Sequence, residues 1–90
     1  DVIEDITIFL EILQSIFRDT IVYKETEETA NLINADISDI IKSTAVKCSS
    51  ISLLNAYNAV VKAAEYIKDN VSANIAVGTM NIELMEELNI

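Results

Sequence analysis

The chain has 90 residues, 51% of them hydrophobic and 23% charged, with one glycine, no proline and a formal net charge of −9. So few turn-formers argue against an all-β chain, and the apolar content argues against disorder. An acidic surface repels phosphate and anionic lipid, which weighs against direct nucleic-acid or membrane contact.

A chain of this size forms one small domain, burying about 60–65% of its unfolded surface. The single Cys48 rules out an internal disulfide and reads as a small apolar residue suited to a reducing compartment. The N-terminus is acidic, unlike a secretory signal, and no apolar run approaches the ~20 residues that span a bilayer. The helical pattern is already running at Asp1, without a methionine, so a fragment of a longer protein is expected.

In chain order, Ile3, Ile6, Leu10, Leu13 and Phe17 follow a 3-4 spacing flanked by Val2, Phe9 and Ile16. That predicts an amphipathic helix of about six turns. Ile8 and Ile12 lie off the stripe and give this helix a second apolar side. Lys24–Asn31, "KETEETAN", reads as a solvated acidic loop, followed by Leu32 and Ile33 as a clip packed back on the core. Asn34 or Asp36 is predicted to cap a second helix carrying Ile37, Ile40, Ile41, Thr44 and Cys48. Ser49 or Ser50 is predicted to cap a third, with Leu53, Tyr57, Val60, Ala64 and Ile67 as its core stripe. Ala56, Ala59 and Ala63 form a flank that a neighbouring backbone could approach. Asn70 tolerates the left-handed conformation that ends helices, and Ser72 is predicted to cap a fourth helix with Ala76 or Val77, Met80, Leu84 and Leu88 on its apolar face. Gly78 inside that helix costs about 1 kcal/mol against alanine, and close packing against another helix is its expected use. The fold class expected is all-α, a small bundle of about four to five antiparallel helices in one domain over residues 1–90.

Little chemistry is legible. Without histidine there is neither a His-dependent triad nor an imidazole metal ligand. Glu86–Glu87 and the Glu25, Glu27, Glu28 cluster read as solvated charge rather than an acid–base pair. A phosphate loop is missing, and Asp36 and Asp39 do not match a calcium loop. No catalytic, metal or cofactor-binding residue is expected, which leaves a binding or assembly domain.

Several segments resemble a known family. "FRDTIVYK" is similar to the end of a long helix in the C-terminal domain of the bacterial DNA polymerase III delta-prime subunit, and "LINAD" to the segment that follows it. "SSISLLNAYNAVVKAAEYIKDNVSANIAVGTMNIEL" resembles the family's last two helices: Leu53 and Leu54 match a Leu-Leu pair, Asn70 and Val71 a turn, Ala76 and Leu84 the final helix. The resemblance runs from about Phe17 to Leu88. Where the family's turn continues with Asn, Pro and a basic residue, this chain has Ser72, Ala73 and Asn74. The last-helix pattern is shared with the gamma/tau subunit, and the Arg18–Asp19 pair favours delta-prime.

The resemblance implies a part in the clamp loader, a ring of five related subunits that uses ATP to open the sliding clamp and close it around primed DNA. Each member of the ring has AAA+-type domains followed by a helical domain, and the five helical domains form a collar. This chain would be the collar (oligomerisation) domain alone, cytoplasmic, partnered by the delta and gamma/tau subunits, with ATPase and DNA-contacting modules upstream. An alternative is an unrelated helical module that takes a partner helix in a groove. Under the collar reading, Tyr66 is predicted to lie opposite the third helix's core stripe, among Asn55, Ala59 and Lys62. Tyr66 and the Ile8–Ile12 side are expected to contact neighbouring subunits.

Overall fold

Asp1 starts the first helix, its carboxylate accepting the Glu4 N–H at 2.9 Å. Glu4 and Asp5 place negative charge in the first turn, where the helix dipole favours it. In the computed structural model, which describes residues 1–89, this α1 runs over Val2–Thr26. It therefore continues into the stretch expected to be a loop. Lys24 provides the reason: its Nζ donates to the Ala45 carbonyl at 2.8 Å, so the last turn is fixed by tertiary contact. The stop falls on Glu27, whose φ of 57° is left-handed and whose N–H returns to the Tyr23 carbonyl.

After a return segment, a single 3-10 turn, Ala35–Ile37, leads into α2, Ser38–Lys47. Neither residue expected to cap α2 does so. Asn34 stands before the 3-10 turn, with no side-chain cap bond, because its amide is engaged by α1. Asp36 is exposed within the turn, and Ile37 occupies the position before α2. The apolar clip is half realised: Leu32 is buried while Ile33 faces outward. On α2, Ile41 and Ala45 are buried, but Ile40 points away from the core.

Ser49 caps α3, Ser50–Lys68, accepting the Ser52 N–H at 3.1 Å. At its far end Asn70 takes φ 65°. The Asn70 N–H bonds the Ile67 carbonyl at 3.1 Å and the Val71 N–H bonds the Tyr66 carbonyl at 2.8 Å. These are the two bonds of a Schellman stop, with asparagine in place of glycine. Ser72 precedes α4, Ala73–Leu88, but contributes no side-chain cap bond; only its carbonyl is used, accepting from Ala76.

Helix α3 lies between α1 and α4 and packs against both, and α2 packs on α1. The α1–α3 pair is antiparallel, as the Gln14–Tyr57 and Glu25–Ser50 contacts show, and so is the α3–α4 pair, joined by Asn55–Glu87 and Lys62–Glu83. The start of α2 lies near Asp19 and its end near Lys24, so α2 follows the second half of α1 in the same sense. The core joins Leu10 and Phe17 of α1, Leu53, Ala56, Ala59, Val60 and Ala63 of α3, and Met80 of α4. The alanine flank of α3 is thus more deeply buried than Tyr57, Ala64 or Ile67. A helix with neighbours on two sides buries two faces, and small residues let both approach. Val2, Ile3 and Phe9, grouped with the stripe of α1 from spacing, are at least half exposed. Cys48 is half-buried. A Cβ at Gly78 would meet nothing within 4 Å, so this glycine serves no close packing among the described residues.

Candidate assembly surface

Asp19 is the deepest charged group. Its side chain is fully buried, at 0% exposure, and is met by four donors. The Ile33 N–H approaches Oδ1 at 3.0 Å, the Asn34 N–H reaches Oδ2 at 2.7 Å, the Asn34 amide donates to Oδ2 at 2.9 Å, and Arg18 Nη1 donates to Oδ1 at 2.9 Å. Arg18 also donates to the Asn31 carbonyl. Burial alone would push the Asp19 carboxyl up; the backbone N–H groups of Ile33 and Asn34, the Asn34 amide and Arg18 outweigh it and hold the group below the usual carboxylate value. The arginine-aspartate pair and the "LINAD" segment are therefore one physical unit. Asp19 ties the return segment to α1, a role that spacing along α1 alone does not reveal, because the donors come from 14 and 15 residues away.

The α3 residues expected to form an assembly face lie on the side of α3 next to α4, with Ala59 buried and Asn55, Lys62 and Tyr66 exposed along the seam. Ala59 is 3% exposed and belongs to the core, which corrects its assignment to an outer surface. Asn55 donates to Glu87 at 3.2 Å and Lys62 to Glu83 at 3.2 Å, so both tie α3 to α4. The bond and charge of Glu83, with a contribution from Tyr66, raise the Lys62 pKa. Tyr66, on the same side of α3, keeps about a third of its surface exposed at the edge of this seam. The side of α3 opposite the α1-facing stripe meets α4, and its margin stays open to solvent.

Helix α1 is different. Ile8 and Ile12 are 53% and 52% exposed, and Phe9 is 52% exposed. At about 100° per residue Ile8 and Ile12 stand roughly 40° apart, with Phe9 on the same side. Among the described residues α2 docks on the second half of α1 and α3 on the face opposite Ile8, while Phe9 borders a groove shared with Ala73, Asn74 and Val77 of α4, so it is Ile8 and Ile12 that are left uncovered. The outcome is a contiguous apolar patch beside Glu4, Asp5 and Glu11.

Among the described residues no cluster of three His, Cys, Asp or Glu could hold a metal ion, and no helix is long and apolar enough to cross a membrane. The bundle presents exposed apolar residues on a chain of net charge −9.

No curated protein and no solved structure matches the chain. The family described as "DNA polymerase III, delta subunit, C terminal" matches residues 3–86. That span includes all of α2 and α3 and almost all of α1 and α4, so the match covers the whole bundle and not one motif. The chain belongs to this family, the C-terminal domains of DNA polymerase III clamp-loader subunits.

Proposed function

We propose that the chain is the oligomerisation domain of a delta-prime-type clamp-loader subunit, one segment of a collar that holds the loader ring together through contacts with delta and gamma/tau subunits. Family membership supports the assembly role. The observation that carries the surface assignment is the Ile8–Ile12 side of α1, an exposed apolar face that no other helix packs against among the described residues. Tyr66, at the open edge of the α3–α4 seam, is the second contact. The Arg18–Asp19 pair supports delta-prime over gamma/tau. In this reading the ATPase-like AAA+ module lies upstream, this domain neither holds nucleotide nor grips DNA, and the protein works in the cytoplasm.

The test is reconstitution. The full-length protein is mixed with delta and gamma/tau subunits and sedimented, with and without Ile8→Asp/Ile12→Asp. Assembly by the parent and a loss of 10-fold or more in the variant, with an unchanged melting temperature, are expected. Assembly that survives the double substitution would refute this surface, and no assembly by the parent would refute the function. Tyr66→Ala is expected to weaken assembly by about 1–2 kcal/mol.

A further inference from the structure

Helix α4 carries a second uncovered face. Ile75, Gly78, Ile82 and Met85 recur at intervals of three and four residues and fall within about 80° of one another around the axis. Ile75 and Ile82 are 63% and 61% exposed and Met85 52%, while Ala76 and Met80 on the other side are buried against the core. Gly78 stands in the middle of the exposed face. Its φ is not positive, so no backbone conformation calls for glycine. A Cβ there would touch nothing among the described residues, so no packing among them calls for it either. A glycine that weakens its own helix without serving its own fold suits a position where another backbone comes close.

The charge around this face is one-sided. Ala73–Leu88 contains Glu83, Glu86 and Glu87 and no basic residue. Glu83 and Glu87 are engaged by Lys62 and Asn55 of α3. Glu86 lies next to Ile82 on the exposed side and forms no ion pair among the described residues. A second copy of this chain is a poor occupant, because α4 against α4 would bring these carboxylates together in a chain of net charge −9.

We propose that the Ile75–Gly78–Ile82–Met85 face of α4 docks an amphipathic helix of a partner protein, one whose apolar stripe is bordered by lysine or arginine and whose backbone passes close to Gly78. The apolar stripe supplies the attraction, Met85 adapts to the partner's side chains, and Glu86 selects the basic border. This surface is separate from the Ile8–Ile12 side and does not depend on the collar reading.

The experiment titrates the 15N-labelled chain with two synthetic helices matched to α4 in length, with the same Leu/Ala stripe, one bordered by lysine and one by glutamate. The lysine-bordered helix is expected to bind at least 10-fold more tightly at low salt, with shift changes centred on Ile75, Gly78, Ile82 and Met85, and to weaken as salt is added. Gly78→Ala is expected to raise the melting temperature by roughly 4–8 °C while weakening binding at least 5-fold. A purely structural glycine would not separate the two readouts in that way. Ile82→Glu, checked for helicity, is expected to abolish binding. Equal affinity for both helices, no binding, shifts centred elsewhere, undiminished binding by Gly78→Ala, or self-association through α4 would each overturn the proposal. Loader assembly that persists after such a result leaves the collar reading standing. Binding here without loader assembly removes the collar reading and keeps this one.

Discussion

Replacing Asp19 with alanine removes an acceptor from the inside of the molecule and leaves its donors in place. Two backbone N–H groups, from Ile33 and Asn34, and the Asn34 amide lose their partner together. A buried donor left without a partner costs about 1–3 kcal/mol. Asn34 is only half-buried and the Ile33 side chain is exposed, so the lower end applies, about 1 kcal/mol for each donor and about 3 kcal/mol in all. Arg18 is 41% exposed and rehydrates, so its ion pair adds little. In a domain of this size the loss corresponds to a fall in melting temperature of about 12–24 °C. Asp19→Asn keeps the shape but turns one acceptor into a donor facing donors, and is expected to cost about 2 kcal/mol. Acid supplies an independent check. The folded-state pKa of Asp19 lies below its unfolded value, so its stabilisation is fully present above the ordinary carboxylate pKa and is lost as pH falls through the folded value. The stability gap between the parent and Asp19→Asn should hold from pH 8 down to about pH 4 and close below it. Thermal and urea unfolding by circular dichroism measure the gap, and hydrogen exchange at the Ile33 and Asn34 amides shows whether the return segment is released first. A cost below about 1 kcal/mol for Asp19→Ala, or a gap that persists in acid, would show that Asp19 does not anchor the segment.

Three further outcomes follow from the caps and the seam. Ser49→Ala should cost about 1 kcal/mol by urea unfolding, whereas Ser72→Ala, which removes no cap bond, should cost only a few tenths; equal losses would contradict the cap geometry. Asn70→Gly should be neutral or slightly stabilising and Asn70→Val should cost about 1–2 kcal/mol, because φ 65° excludes a β-branched residue more strongly than it does asparagine; a tolerated valine would rule out the left-handed stop. Ala59→Leu should destabilise the domain by about 1–3 kcal/mol through overpacking of the core, and an unchanged melting temperature would return Ala59 to the outer surface.

Interactions that are local in the chain were legible before any packing was known. Helical periodicity placed four helices, and the short-range chemistry of Ser49 and of Asn70 pointed to a cap and a stop, because a cap uses donors within three residues and a left-handed stop uses its own backbone. The second apolar side of α1 was likewise visible as Ile8 and Ile12 off the main stripe. Tertiary structure decided what covers each face. Periodicity shows that a helix has an apolar stripe but not how many neighbours it has. Because α3 has two, its alanine flank became core and Asn55, Ala59 and Lys62 turned toward α4. Lys24 stayed helical because its partner is the Ala45 carbonyl, 21 residues away. Asp19 became a buried anchor because the backbone of residues 33 and 34 returns to it, and Asn34, a good cap by type, was drawn off by that carboxylate. Burial and pairing are relations between distant segments, so they appear only once the helices are packed.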